Sequence, residues 1–375
     1  MHGFQLSRAL FWAVIAFLAL LALRPWIDGW LIDREAAPRA VTARGDLAAD
    51  EQSTIAIFES VSPSVVFITT TEELVNRWTP DPNVVRRGTG SGFVWDGQRH
   101  IVTNWHVIAE ASAAWVRLAD QRIFRAEMIG KSPAHDLAVL RISGAWQAPK
   151  PIPIGRSADL RVGQKVFAIG NPFGFDYSLT AGLVSALDRT IYNERSGEIR
   201  GLIQTDATIN PGNSGGPLID SAGRLIGINT AIFSTSGTFS GIGFAVPVDT
   251  INRVVPQLIA RGRYIRPRIG ITTDDAISRP ILRQLGLEGV LVLGVGPDSP
   301  AAVAGLIDTR VSPTGEILPG DVIQQLDGQP VKEMADLIEI LEGYQVGDRV
   351  RLAIERDGHS IEVEIHLGGE SVRWD

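Results

Sequence analysis

The pattern of apolar and polar positions changes character three times along the chain. Residues 9–23 form a run of 15 residues without a charge. As a helix at ~1.5 Å per residue that run covers about 22 Å, short of the ~30 Å of a bilayer core. Arg24 can extend its charge toward the headgroups, and Trp26, Ile27 and Trp30 suit a membrane interface. Counted over residues 9–27 the segment has 19 residues, which is enough to span. An N-terminal transmembrane helix is therefore expected within residues 1–30. A cleaved signal peptide has a similar hydrophobic length, but no Ala-x-Ala site follows the run.

Residues 31–53, rich in alanine and charge, read as a linker. Short β-like runs then recur between glycine-rich turns, at residues 64–70, 92–95, 138–142, 165–169, 218–219 and 225–229. That spacing predicts an all-β sandwich or barrel. Residues 249–261 predict a helix, with Asp249 as N-cap and Gly262 just beyond its end. A first folded domain is thus expected over residues 54–262. Residues 263–369 predict a smaller α+β unit, with strands at 289–295 and 349–355 and helices near 301–304 and 332–342. Residues 370–375 are left as a tail. The fold class is mostly β.

Composition narrows the function. Of 375 residues, 45% are apolar, and 39 Gly with 21 Pro supply many turns, so two domains with real cores are expected. The net charge of −7 argues against a general nucleic-acid binder. The chain has no cysteine, which excludes disulfides, thiolate metal sites and a cysteine nucleophile. No cofactor and no metal are called for.

Three segments carry chemistry: Thr103-Asn104-Trp105-His106-Val107, His135-Asp136-Leu137-Ala138-Val139-Leu140 and Gly212-Asn213-Ser214-Gly215-Gly216-Pro217. A hydroxyl is a poor nucleophile at neutral pH and needs a base beside it. Histidine suits that role, and a buried carboxylate can fix its tautomer and stabilise its charged form. Singly, Ser214 could be a turn residue, His106 a packed core residue and Asp136 a strand cap. Jointly, they stand in the His, Asp, Ser order of the chymotrypsin-like double β-barrel. The expected triad is His106 as base, Asp136 as orienting acid and Ser214 as nucleophile. Gly212 can turn backbone N–H groups of Gly212, Asn213 and Ser214 toward a developing oxyanion, while Gly215 and Gly216 would let a substrate backbone approach. His100 lacks the flanking pattern and reads as a surface residue, and His135 is open to the same reading.

The stretches TNWHVI, HDLAVL, IGNPFG, QTDATINPGNSGGPL, LIGINTAI and GIGFAVP resemble the HtrA/Deg family of serine proteases over most of the chain. The resemblance implies a chymotrypsin-like double β-barrel followed by a PDZ domain. With one N-terminal anchor and one PDZ domain, the chain is most similar to the type attached to the inner membrane and facing the periplasm. In this fold the residue six before the nucleophile, Thr208, lies at the base of the specificity pocket. The resemblance places Ile209 and Ile232 as pocket walls, which would favour small aliphatic side chains. The alternative is that both are plain core residues. Asn229, Thr230 and Ala231 resemble the strand that pairs with the substrate backbone. Arg189 is placed on a regulatory sensor loop, or is an ordinary solvated arginine.

In the second domain Arg268-Ile269-Gly270-Ile271 resembles the PDZ loop that receives a peptide's C-terminal carboxylate. Ser299-Pro300-Ala301-Ala302, Gly320-Asp321-Val322-Ile323 and Asp327-Gly328 add weight, and a polar insert at residues 308–318 departs from shorter relatives. The expected partners are protein substrates, C-terminal peptides of unfolded proteins, the inner membrane and two further copies in a homotrimer. Three functions stay open at this point: a regulatory protease activated by peptide C-termini, a broader quality-control protease with chaperone activity, and an inert PDZ scaffold. The intact triad argues against the scaffold. The short stretch at residues 71–87, where cage-forming relatives often carry a long insertion, favours the regulatory protease.

Overall fold

The computed structural model describes residues 3–31, 38–74, 83–144, 146–172, 174, 176–193, 197–210, 212–232 and 241–369. The chain divides into two units, residues 1–52 and 53–375. In the first, helix α1 runs over Gly3–Leu31. Its section Arg8–Trp30, 23 residues long, is long and apolar enough to cross a membrane. Arg24 and Asp28 pair one turn apart near its end, at 3.7 Å. Helix α2, Ala49–Val61, begins inside the expected linker. Arg44 explains part of this, because it reaches back to Glu51 in the first turn of α2 at 2.5 Å.

Twelve strands of the second unit close into two six-stranded barrels. The first barrel is built from β1 (Val65–Leu74), β2 (Asn83–Val94), β3 (His100–Thr103), β4 (Ala113–Arg117), β5 (Ile123–Ser132) and β6 (Leu137–Ile142), with the one-turn helix α3 (Trp105–Ile108) after β3. The second comprises β7 (Lys165–Gly170), β8 (Ser178–Asn193), β9 (Gly197–Thr205), β10 (Pro217–Asp220), β11 (Leu225–Ile232) and β12 (Gly243–Pro247).

Several strands read as unbroken apolar runs because both of their faces are buried. In β6, Leu137 and Val139 face the layer between the barrels, whereas Ala138, Leu140 and Ile142 fill the first barrel. In β7, Phe167 and Ile169 face that same layer, and Val166 and Ala168 fill the second barrel. Helix α4 (Val248–Arg261) seals the layer with Val248, Ile251, Val254, Val255 and Leu258. Asp249 is not its N-cap. Pro247 holds that position, and the Asp249 carboxylate instead accepts from the N–H groups of Ser157 and Ala158. Gly262 ends the helix in the left-handed region, as expected.

His100 is not on the surface. It is 6% exposed, and its Nδ1 lies 2.7 Å from Asp96 Oδ2 across the turn between β2 and β3.

The second domain contains the short strands β13 (Ile271–Thr272), β14 (Val290–Leu291) and β15 (Gly294–Val295), with α5 (Asp275–Leu285) after the first of them. Helix α6 (Pro300–Val303) and the hairpin β16 (Arg310–Val311) and β17 (Ile317–Leu318) follow. The chain continues through β18 (Val322–Leu326), β19 (Gln329–Pro330), α7 (Met334–Glu342), β20 (Arg349–Arg356) and β21 (His359–His366). The polar insert is thus the β16–β17 hairpin. Helix α5 was not expected from the apolar pattern, although Asp274 caps it through the N–H groups of Ala276 and Ile277. The expected tail at 370–375 and part of the 71–87 stretch lie outside the described residues.

Candidate active site

The catalytic candidates come from both barrels. His106 sits in α3 at the end of β3, and Asp136 lies just before β6. These strands are antiparallel neighbours, Thr103 opposite Ala138. Two residues separated by 30 positions therefore meet: His106 Nδ1 lies 2.7 Å from Asp136 Oδ2. The backbone N–H of His106 also donates to Asp136 Oδ1 at 2.9 Å. Asp136 is fully buried, and the His106 side chain is 23% exposed. The Asp136 backbone is anchored as well. Its carbonyl accepts from Asn104 Nδ2 at 3.0 Å and from Trp105 N–H at 3.1 Å. Lys131 stacks over the Trp105 ring at 4.5 Å, bracing α3 from outside.

A further partner of Asp136 went unassigned in the sequence. Thr230, on β11 of the second barrel, donates its hydroxyl to Asp136 Oδ2, and its backbone carbonyl accepts from Ser214 Oγ at 3.3 Å. One residue thus touches both the acid and the nucleophile. Such a network holds an imidazole with Nε2 outward and Nδ1 protonated, the tautomer a general base needs.

The nucleophile loop is fixed from the first barrel. Ser91 of β2 donates its hydroxyl to the carbonyl of Gly212 at 2.6 Å and its N–H to the carbonyl of Ser214 at 2.9 Å. Gly212 has φ +101° and Gly215 +84°, conformations that side chains disfavour. A Cβ on Gly215 would come within 2.1 Å of the Ser91 carbonyl oxygen. Gly215 thus makes room for β2, and Gly216 for the Ile169 carbonyl of β7. Neither role is the expected approach of a substrate. Asn213 also differs from expectation. Its N–H donates to the carbonyl of Asn210 at 2.9 Å, so it cannot also face an oxyanion. Gly212 and Ser214 remain as candidate oxyanion donors.

Around the expected specificity pocket, Thr208 is half-buried, and its carbonyl accepts from Thr180 Oγ1 at 2.9 Å. Ile209 is 1% exposed and packs with Val166, Ala168 and Leu218 inside the second barrel, so it is a core residue and not a pocket wall. The side chains of Ala231 and Ile232 lie outside the described residues. Asn229 is not free to pair with a substrate. Its N–H donates to Gly216 and its carbonyl accepts from Gly215, closing the nucleophile loop onto β11.

Arg189 lies in β8, exposed, with its Nε donating to Gln204 Oε1 of β9 at 3.0 Å. Its neighbour Asp188 faces Glu339 of α7, whose carboxyl is pushed up by burial and then by the charges of Asp188 and Asp336. The sensor candidate thus neighbours a residue whose charge reaches Glu339 of the second domain.

In that domain Arg268, Ile269, Gly270 and Ile271 line one side of a groove of about 430 Å³. Met334, Leu337, Ile338 and Leu341 of α7 line the other. Gly270 has φ +85°, and a Cβ there would come within 2.4 Å of Ser299 Cβ. Arg268 exchanges two backbone hydrogen bonds with Gly368, which ties the loop to the end of the domain.

Residues 90–228 match a trypsin-like peptidase domain and residues 267–367 a PDZ domain. The chain is 47% identical over 358 residues to "Protease Do-like 1, chloroplastic" of Arabidopsis thaliana, covering 95% of this chain and 79% of that protein. This chain belongs to the HtrA/Deg family of serine proteases. It is also 37% identical to a "Probable periplasmic serine endoprotease DegP-like" of Pseudomonas fluorescens, covering 83% of this chain and 69% of the relative. Among solved HtrA structures, the HtrA-type protease AlgW with a decapeptide is 32% identical with a TM-score of 0.67, covering 87% of this chain and all of that one. The HtrA/Deg assignment makes the chain a serine endopeptidase with a PDZ domain.

Proposed function

We propose that this chain is a membrane-tethered regulatory protease of the bacterial envelope, switched by protein C-termini that bind its PDZ groove. The observation that carries the reading is the groove itself. An apolar channel lies between the Arg268–Gly270–Ile271 loop and α7, open to an extended peptide that adds to the sheet edge. Its apolar walls suit the hydrophobic C-terminal residues that unfolding exposes. The similarity to AlgW with a decapeptide supports the same use. Arg189, paired with Gln204 and next to Asp188, whose charge reaches Glu339 of α7, is the proposed relay between the domains.

In the proposed reaction Ser214 Oγ attacks the scissile carbonyl carbon while His106 Nε2 takes its proton. Asp136 stabilises the imidazolium, and the N–H groups of Gly212 and Ser214 receive the oxyanion. The C–N bond then breaks, and the amine leaves with the proton held by His106. Water, deprotonated by the same imidazole, attacks the acyl carbon; the acyl–Oγ bond breaks, and the imidazolium returns its proton to Ser214 Oγ. Thr208, uncharged at the pocket base, gives no partner to Lys or Arg, so uncharged residues are preferred before the cut.

Helix α1 supports the tether: the 23 residues of Arg8–Trp30 would extend about 35 Å at ~1.5 Å per residue. The reading is a single-pass protein of the inner membrane with its catalytic domains in the periplasm, acting as a homotrimer. The second reading, a broader quality-control protease, draws on the relatives named DegP-like. One experiment separates the two. Cleavage of a panel of unfolded proteins is followed with a free-acid decapeptide ending in apolar residues, with its amide, and with neither. The regulatory reading expects few substrates cut and a rate raised only by the free acid. Rapid cutting of most of the panel, indifferent to peptide, selects the quality-control reading.

A further inference from the structure

An enclosed polar cluster runs from the PDZ groove to the catalytic acid. At its centre is Glu342, the last residue of α7, with its side chain 18% exposed. Arg266 Nε donates to its Oε1 at 2.5 Å. Its Oε2 accepts from Tyr264 Oη at 3.1 Å and from Arg253 Nη2 at 3.5 Å, and lies 3.3 Å from His135 Nε2. Burial raises the Glu342 carboxyl, but hydrogen bonding and charge from His135, then the charges of Arg266 and Arg253, outweigh it and bring it down to about 2. A PDZ carboxylate is thus held ionised against the protease domain.

The far end of the cluster is His135. Its Nδ1 lies 2.7 Å from Ser132 Oγ, and its ring stands edge-on to Tyr264 with centroids 4.8 Å apart. The imidazole is gripped from three sides and is 9% exposed, so the surface reading does not hold. His135 closes the 3₁₀ turn Pro133–His135, and the residue that caps this turn is Asp136 itself, at φ 51° and ψ 41°. The catalytic carboxylate therefore follows directly, along the chain, a side chain clasped by the PDZ domain. Toward the groove the connection is equally short. Leu337, Ile338 and Leu341 of α7 line it, and so does Arg266, the residue that clasps Glu342.

We propose that Glu342 and His135 are positioning residues for Asp136, and that they report occupancy of the PDZ groove to the catalytic acid. The proposal rests on the regulatory reading above and specifies its route. Arg266 supplies the differential contact that any ligand-driven shift requires. A peptide carboxylate in the groove competes with Glu342 for Arg266. Glu342, with one partner drawn off, leans further onto His135. The Pro133–His135 turn is pressed, and the Asp136 carboxylate, already 2.7 Å from His106 Nδ1, is held there more firmly.

The test uses the full chain in detergent micelles and a labelled free-acid decapeptide ending in Leu-Leu-Val. Peptide Kd is read by anisotropy, and kcat and KM for a labelled unfolded protein are measured with and without saturating peptide. The forms compared are wild type, Glu342→Gln, His135→Gln, their double variant and Glu342→Asp. In wild type the peptide should raise kcat with KM unchanged. Glu342→Gln, which frees Arg266, should bind peptide at least as tightly as wild type, and His135→Gln within about twofold of it, yet each should lose at least about fivefold of the activation. The double variant should lose no more than either single, because one contact is being removed. Glu342→Asp, which keeps the charge, should recover part of the effect. Full activation in both single variants, losses that add, or a loss confined to KM or Kd would overturn the route while leaving regulation standing. A wild type that binds peptide without a rise in kcat would overturn the regulatory reading, and the route with it. Should His135→Gln melt early, the near-isosteric Glu342→Gln decides alone.

Discussion

Thr230 donates its hydroxyl to the Oδ2 of Asp136, the same oxygen that faces His106 Nδ1 at 2.7 Å. The two residues lie on different barrels, 94 positions apart. Replacing Thr230 by the isosteric Val removes one hydrogen bond from a buried carboxylate, an interaction of about 1.5–3 kcal/mol. We expect kcat to fall about 10–100-fold with KM unchanged, measured by steady-state cleavage at pH 7.5. An unchanged kcat would show that the contact is idle.

Ser214→Ala deletes one oxygen from a half-buried position. Cleavage should fall by about 10⁴-fold or more, while the melting temperature stays within a few degrees of wild type. Turnover at the wild-type rate by the purified variant would remove Ser214 from its role.

Gly215→Ala should do more damage than its size suggests. Its φ of +84° disfavours any side chain, and the new Cβ would press on the Ser91 carbonyl from 2.1 Å. A stability loss of about 3 kcal/mol or more is expected, together with loss of activity. Denaturant titration gives the first and cleavage the second. A variant of wild-type stability would mean that the loop can move away from β2.

Stability at acid pH should carry the mark of Glu342. Its folded pKa of about 2 lies below the ordinary 4.5, so the ionised form stabilises the fold above pH 4.5. That contribution is lost as pH falls from 4.5 toward 2, and the shift corresponds to roughly 3 kcal/mol. Wild type should lose stability more steeply across this window than Glu342→Gln, which has nothing there to titrate. Parallel curves of melting temperature against pH would contradict the assignment.

Specificity should follow the uncharged pocket base. A peptide-library profile should favour uncharged residues before the cut, and a profile dominated by Lys or Arg would show that Thr208 does not set the preference.

The barrels and the pairing of His106 with Asp136 were legible in the sequence because their signals are local. His106, Asp136 and Ser214 each stand inside a short motif, and strands buried on both faces read as plain apolar runs. The supports were not legible. Ser91 reaches Gly212 across 121 positions and His135 reaches Glu342 across 207. Nothing near a lone serine or glutamate says what it will touch at that distance. The same limit misplaced Ile209, whose side chain turns into the second barrel; His100 failed locally, because its partner Asp96 lies only four residues away in the turn before β3. Asn213 failed for a smaller reason: a turn bond to Asn210 consumed the N–H that the glycine pattern seemed to offer. Helix α5 had a legible cap in Asp274, but Pro280 in its interior broke the helical pattern.

His106 and Asp136 belong to one barrel, while Ser214 and Thr230 belong to the other. A nascent or half-melted polypeptide therefore holds the parts of a protease without being one. The first cut has to wait for contacts between segments far apart in sequence, and such contacts form slowly. Latency during biosynthesis is thus inherent in the topology, and the same partition disarms the molecule at the onset of its own unfolding.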